Sequence, residues 1–256
     1  MKITKYNVIT DKIDKDLVVA CVSDIHGRKA QKAIEAVRKI SPDVVLLAGD
    51  ILEISVDYMN ERNETAIDFL KQMVDIAPSY YCFGNHEIFF SHAQAERSQV
   101  SDPDIEKRNI ERVLDLGVHI VNNKSEKLGS LIIGGLVCGY DMIPAWQGQA
   151  FDLDFLNRFD SYDGFKILLC HYPHLYDELL KNTSFDLILS GHAHGGQWRF
   201  LGRGVYAPHQ GLFPKYTSGI YDGRFIISRG ASNNVAPIPR FFNPCEVLQI
   251  NLKKKT

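Results

Sequence analysis

A chain of 256 residues, 45% hydrophobic and 23% charged, has ordinary globular composition, which excludes a disordered, collagen-like or long coiled-coil protein. Its 29 basic and 31 acidic side chains leave a formal net charge of −2. That argues against general nucleic-acid binding, but not against an anionic substrate drawn in by a local site or a bound metal. The longest apolar run, around Leu131–Tyr140, is about half of what a bilayer-spanning helix needs. The start, Met1-Lys2-Ile3-Thr4-Lys5, has no apolar signal core. The expectation is a cytoplasmic protein whose membrane contact is at most peripheral, at the inner face. Five scattered cysteines, odd in number and without a C-x-x-C pair, predict neither a disulfide framework nor a structural zinc site.

Apolar β-branched runs then alternate with helical patterns. Leu17–Val22 reads as a buried strand. Ala30, Ala33, Ile34, Val37 and Ile40 recur at helical spacing, and Pro42 stops that helix. Val44–Ala48 is the next strand. Ala66, Ile67, Leu70, Met73, Val74 and Ala77 form a second helical face, closed by Pro78, before a strand at Tyr80–Phe83. This βαβαβ rhythm predicts parallel strands joined by crossover helices. Phe89–Ser101 is polar and without a period. Asp102-Pro103 opens a third helix carrying Ile105, Ile110, Val113 and Leu114. Val118–Val121, Glu126–Leu128 and Leu131–Cys138 read as short antiparallel pieces. Phe165–Cys170 and Phe185–Leu189 are buried strands with a helix over Leu175–Leu180 between them. Gly195–Gly223 is rich in glycine, proline and aromatics, and a loop that long is functional or disordered. Phe225–Ser228 and Val247–Leu252 end the chain as strands. No repeat or linker interrupts it, so residues 1–256 are expected to form a single α/β domain with two sheets flanked by helices.

Polar clusters follow the strands. They are Asp24-Ile25-His26, Gly49-Asp50, Gly84-Asn85-His86-Glu87, His171 and Gly191-His192-Ala193-His194. In an α/β sheet the carboxyl ends of strands gather along one edge, where ligand sites form. In an extended D-x-H, Asp24 and His26 point the same way and can reach one metal, and so can His192 and His194 if their stretch is extended. Gly49 and Gly191 let the backbone turn sharply there. A mixed set of carboxylate, imidazole and amide oxygen suits borderline first-row metals.

This ordered set resembles the calcineurin-like metallophosphoesterases, from residue 17 to about residue 250. The pieces that carry the resemblance are D-x-H (24–26), G-D-x-x-E (49–53), G-N-H-E (84–87), a strand-end histidine (171) and G-H-x-H (191–194). The tail, with Gly195-Gly196-Gln197, Tyr206-Ala207-Pro208, Gly211–Tyr216 and Phe241–Pro244, is similar to one subgroup. That subgroup includes membrane-associated bacterial phosphoesterases and enzymes acting on UDP-2,3-diacylglucosamine. The resemblance implies a four-layered α/β/β/α sandwich with mixed sheets and two divalent metal ions, manganese, iron or zinc. One ion would be held by Asp24, His26, Asp50 and His194. The other would be held by Asp50, Asn85, His171 and His192, with Asp50 bridging ions ~3.5–4 Å apart. The implied reaction is hydrolysis of a P–O bond by a metal-activated hydroxide. The implied substrate is a phosphodiester, a phosphomonoester or a nucleotide-sugar pyrophosphate. His86, without a metal of its own, would be the general acid or a transition-state stabiliser, with Asp50 orienting it. Asn85 and His86 would also touch the substrate. So would Arg28, which stands where many relatives have Leu or Gly. The alternative is a non-catalytic metal-binding scaffold of the same fold. A mononuclear zinc peptidase is remote, because H-E-x-x-H is missing.

Other residues are expected to have ordinary roles. His92, His119, His174 and His209 read as satisfied polar residues, His92 near the site rim. Cys21, Cys82 and Cys170 read as small buried residues beneath the site. Glu53 and Glu87 read as acceptors for ligand histidines. Arg199, Arg203, Lys215, Arg229 and Arg240 read as surface charge. Trp198, Phe200, Tyr206, Phe213 and Tyr216 suit a substrate wall or a satellite core equally, whereas Phe241-Phe242 is expected to pack in the core.

Overall fold

The computed structural model describes residues 1–53, 59–87, 104–137, 151–232 and 239–255. The first five strands are β1 (Lys2–Thr10), β2 (Leu17–Val22), β3 (Val44–Ala48), β4 (Ser79–Cys82) and β5 (His119–Ile120). Next come β6 (Lys124–Leu128), β7 (Leu131–Leu136), β8 (Phe165–Cys170) and β9 (Leu187–Ser190). Four two-residue strands form ribbons: β10 (Arg199–Phe200) with β11 (Arg203–Gly204), and β12 (Tyr206–Ala207) with β13 (Gly211–Leu212). The last are β14 (Gly219–Tyr221), β15 (Phe225–Ile227) and β16 (Glu246–Lys254).

Two six-stranded sheets result, ordered β1-β16-β2-β3-β4-β5 and β14-β15-β9-β8-β7-β6. The continuous apolar runs of β2, β3 and β4 pair in parallel, as crossover helices require. Among the short pieces after Gly117 only β6 and β7 pair antiparallel; β5 joins β4 and β7 joins β8 in parallel. Strand β1, unforeseen in the sequence, is a half-buried edge: lysines and threonines interleave the few side chains that reach the core.

Alternation along the second sheet sorts its residues into two cores. Ile167, Leu169, Leu187, Leu189 and Ile226 face the first sheet, together with Leu46 and Tyr81. Leu168, Cys170, Ile188, Phe225 and Ile227 face outward. At Gly135 a Cβ would stand 2.8 Å from the Cys82 thiol and 2.7 Å from the Val121 carbonyl, so glycine lets β7 close onto β4.

Helix α1 (Gln31–Ile40) packs on the first sheet with its Ala33, Ile34, Val37 and Ile40 face and ends at Ser41 in a left-handed conformation. Helix α2 (Met59–Ile76) lies beside it, and α3 (Asp104–Asp115) beside α2. Helix α4 (Leu153–Asp160), absent from the sequence reading, is capped by Asp152, whose side chain accepts from Phe155 N–H at 2.7 Å. It lays Phe155 and Phe159 on the outer face of the second sheet. The expected helix over Leu175–Leu180 is a 3₁₀ turn, Pro173–Leu175, running into a π-helical turn, Tyr176–Leu180. Four layers, α/β/β/α, are therefore present. No helix among the described residues is long and apolar enough to cross a membrane.

Candidate metal centre

Each polar cluster begins where its strand stops. Strand β2 ends at Val22 and β9 at Ser190, so neither D-x-H nor H-x-H is extended. The expected strand alternation is corrected to left-handed turns: φ is +58° at Asp24, +54° at His26, +55° at Asp50, +65° at His192 and +46° at His194. Such backbone costs on the order of 1–3 kcal/mol per residue and persists only where the surroundings over-determine it. Here they do. The N–H groups of Asp24, Ile25, His26 and Gly27 donate to the carbonyls of Gly49, Asp50, Asp50 and Ile51, lacing two strand-end loops together. Gly49 has φ +87°, and a Cβ there would sit 2.4 Å from His171 Nδ1. Gly191 serves close approach rather than a turn, since its Cβ would meet Asp24 Oδ2 at 2.7 Å.

The loops converge on two donor sets that share no residue, and a third group, His26, Glu53 and His86, meets the same 4.8 Å distance limit beside them. In the first, Asp24, His26 and His194 each offer one ligand atom within 4.8 Å of the others. His26 Nε2 lies 3.3 Å from His194 Nε2, and His194 Nε2 lies 3.2 Å from Asp24 Oδ1. In the second, Asp50, His171 and His192 meet the same limit. Asp50 Oδ2 stands between the sets, 3.7 Å from His26 Nε2 and 3.0 Å from His171 Nε2. Neighbouring donors about 3.3 Å apart are what tetrahedral coordination at about 2.1 Å from one ion produces. Two buried polar atoms at the centre, Asn85 Oδ1 and His192 Nε2, make no hydrogen bond, although buried polar groups normally do. Lone pairs gathered beside carboxylates are a donor set that a pair of divalent ions would fit.

Neighbours fix which imidazole nitrogen is offered. His171 Nδ1 donates to Ala48 O at 2.7 Å, and His26 Nδ1 lies 3.3 Å from Glu53 Oε2, so both rings present Nε2 to the centre. Burial opposes charge on His171, but Asp50 and Asp24 outweigh it and raise its pKa to about 9. Burial likewise opposes charge on Asp50, yet His171 and His86 hold its carboxyl well below the usual range. The field therefore favours positive charge at this point.

His86 occupies the rim. Its Nδ1 is 2.8 Å from Glu53 Oε1, and its Nε2 is 4.0 Å from Asp50 Oδ2. Asp50 Oδ1 accepts from the His86 backbone N–H at 2.9 Å. Glu53, rather than Asp50, thus orients the ring, because it reaches Nδ1 from the rear. Burial would lower the His86 pKa, but Asp50 and Glu53 lift it to about 9. Burial would raise that of Glu53, but hydrogen bonds from His26 and His86 bring it to about 2.

Glu87 does not serve a histidine. It accepts from the backbone N–H groups of Asp50, Ile51, Leu52 and Gly84 and from the Tyr81 hydroxyl, clamping the end of β3 to the end of β4. Burial and the nearby Asp50 charge push it up to about 7. Arg28 is half-buried near Arg62 and Glu53, with its Nε buried and without a hydrogen bond. Cys21, Cys82 and Cys170 are fully buried, and burial pushes the Cys170 thiol up to about 12, so they pack rather than ligate. His119 pairs with Glu126 at 2.6 Å. His92 lies outside the described residues.

Sequence reasoning missed four contributors. His209 stacks on His192 (5.2 Å between centroids, 24° between planes), and His174 stands 5.2 Å from His209. Arg240 faces His194 Nδ1 at 3.0 Å, and Asn243 donates to His194 O at 2.7 Å. His174 had a local signal, three residues after His171 at the start of a turn, and Asn243 falls within the Phe241–Pro244 tail piece. Of the expected surface cations, Arg229 pairs with Glu246, Lys215 with Asp177, and Arg199 donates to the Gly195 carbonyl; Arg203 is exposed. Burial depresses the His174 pKa to about 4, with His209 and His171 adding to it. From pH 6.5 down to 4 the unfolded chain takes up a proton that native His174 refuses, so stability is lost as pH falls through that window. Melting temperatures measured across it should fall less steeply in His174→Gln than in the wild type.

The sequence profile of the calcineurin-like phosphoesterase family matches residues 17–196, and the chain belongs to that family. An uncharacterized metallophosphoesterase of Helicobacter pylori strain J99 is 28% identical over 270 residues, covering 99% of this chain and 64% of that protein. The chain thus spans less than two thirds of that relative's length. An uncharacterized metallophosphoesterase of Aquifex aeolicus is 23% identical over 272 residues, covering 100% of this chain and 93% of its own. A zebrafish (Danio rerio) relative, named a transmembrane protein with metallophosphoesterase domain, is 25% identical over 213 residues, covering 77% of this chain and 45% of its own.

Proposed function

We propose that the chain hydrolyses P–O bonds of phosphate esters at a dinuclear metal centre. The observation that carries this reading is Asp50 Oδ2, set between the His26 and His171 imidazoles at 3.7 and 3.0 Å. Asp24, His26, Asp50 and His194 would hold one ion, and Asp50, Asn85, His171 and His192 the other. Bound divalent ions supply Lewis acidity, which acidifies the attacking water and takes up charge on the phosphoryl oxygens.

The remaining work falls to side chains. Asn85 adds a neutral oxygen where a further carboxylate would weaken attraction for the anionic ester. His86, with Nδ1 bonded to Glu53, carries its second proton on Nε2 and delivers it to the departing oxygen. Glu53 stays ionised and keeps that imidazolium both charged and aimed. Arg28 binds a non-bridging phosphoryl oxygen at the rim. Phosphodiesters, phosphomonoesters and nucleotide-sugar pyrophosphates all meet these requirements.

A parallel assay of mono-, di- and pyrophosphate esters with Mn²⁺, Fe²⁺, Zn²⁺ and Mg²⁺ separates the readings. Metal-dependent turnover of at least one class is expected. Bound metal without turnover of any ester would instead favour a binding scaffold.

A further inference from the structure

A polar neighbour behind the ring aims three of the four histidines in the two donor sets. His26 Nδ1 meets Glu53 Oε2 at 3.3 Å, His171 Nδ1 donates to Ala48 O at 2.7 Å, and Arg240 faces His194 Nδ1 at 3.0 Å. His192 is the exception. Its backbone N–H donates to Asp24 Oδ1 at 2.9 Å, which fixes the main chain. Its Nε2 is buried without a partner, and its ring makes no hydrogen bond among the described residues. A ligand imidazole is normally held in orientation by a hydrogen bond on its second nitrogen. Here the ring can be held only by packing.

Other rings supply that packing. His171 stands 5.1 Å from His192 at 73°, Tyr172 5.2 Å at 59° and His174 6.3 Å at 55°, all edge-on or tilted. Among the described residues only His209 lies nearly parallel to it, with 5.2 Å between centroids and 24° between planes. A parallel ring covers one face of the imidazole and blocks its rotation toward that side. His174, 5.2 Å from His209 at 31°, closes a triangle of rings.

The turn that carries His209, between β12 and β13, is fixed from behind. Ala207 pairs with Gly211, and Gln210 grips the backbone of Tyr216 twice. Its Nε2 donates to Tyr216 O at 2.7 Å, and its Oε1 accepts from Tyr216 N–H at 3.0 Å. Tyr216 is buried as satellite core, and its hydroxyl donates to Asp177 Oδ1 at 2.9 Å. Phe200 and Phe213, by contrast, are 72% and 76% exposed. The core packing expected for Phe241-Phe242 is corrected as well, since they are 55% and 88% exposed. His209 has φ +59°. Left-handed backbone outside glycine is costly and persists where the surroundings over-determine it. At His209 it turns an exposed side chain back onto a ring of the metal centre.

We infer that His209 is a positioning residue for the ion that Asp50, Asn85, His171 and His192 would hold: by stacking on His192 it aims the one ligand imidazole that no hydrogen bond orients. This role presupposes the two-ion centre proposed above. Calorimetric titration of the metal-stripped full chain with Mn²⁺ should show two ions bound. His209→Asn removes the ring, keeps a residue that tolerates left-handed backbone and, at an exposed position, opens no hole in the core. One ion should bind that variant roughly tenfold more weakly, and the other should be unaffected. Anomalous scattering at limiting Mn²⁺ should place the weakened ion beside His171 and His192. His209→Phe keeps a stacking ring without a nitrogen and should restore wild-type affinity. Unchanged affinities in His209→Asn, equal weakening of both ions, or a loss that His209→Phe does not repair would overturn the role of His209 and leave the two-ion centre standing. Fewer than two ions on the wild-type chain would overturn both. Ester turnover enters none of these outcomes.

Discussion

Replacing Asp50 by asparagine should lower phosphate-ester hydrolysis by more than roughly a thousandfold and leave the protein folded. The asparagine carbonyl can still accept the His86 backbone N–H that Asp50 Oδ1 accepts at 2.9 Å. What disappears is the negative charge between the two donor sets, at 3.7 Å from His26 and 3.0 Å from His171. In the proposed centre that charge is common to both ions, so elemental analysis of the purified variant should show fewer ions per chain than the wild type. Circular dichroism should be unchanged. Wild-type turnover in Asp50→Asn would show that the chemistry lies elsewhere.

His86→Asn should act differently, lowering kcat by roughly 10²–10⁴-fold while metal content stays that of the wild type. The loss should be larger for phenyl phosphate than for p-nitrophenyl phosphate, because the poorer leaving group depends more on a delivered proton. The Glu53 contact sets the pH response. Asp50 and Glu53 both raise the His86 pKa; ions held by Asp50 would cancel its share, so the rate should fall on an alkaline limb whose position Glu53 sets. In Glu53→Gln the hydrogen bond to Nδ1 no longer comes from an anion. The alkaline limb should then move to lower pH, with a loss on the order of 10–100-fold from the mispositioned ring. An unshifted limb would remove Glu53 from this role and leave His86 to Asp50 alone.

How far the sequence discloses this protein depends on how local each signal is. Strands β3 and β8 are legible to the residue, because buried parallel strands are written as unbroken apolar runs. The polar clusters are legible for the same reason, since each sits directly after such a run. Strand β1 was not, because an edge strand needs only one half-buried face and tolerates lysine and threonine on the other. Helix α4 spans eight residues, too few for a firm period, and its stability comes from Phe155 and Phe159 meeting the second sheet. The histidines of the polar clusters come together at one place, yet not by strand alternation. Left-handed backbone at Asp24 and His192 is imposed by hydrogen bonds from distant loops and leaves no mark on neighbouring residues. Arg240 and His194 are separated by 46 residues, and composition cannot bring them together. Phe242 shows the converse limit: hydrophobic identity does not dictate burial.

The most direct test of the account is anomalous scattering from crystals of the chain saturated with manganese. Two peaks are expected, one beside His26 and His194, the other beside His171 and His192, with the Asp50 carboxylate in contact with both. A single ion, or a pair that Asp50 does not touch, would contradict it.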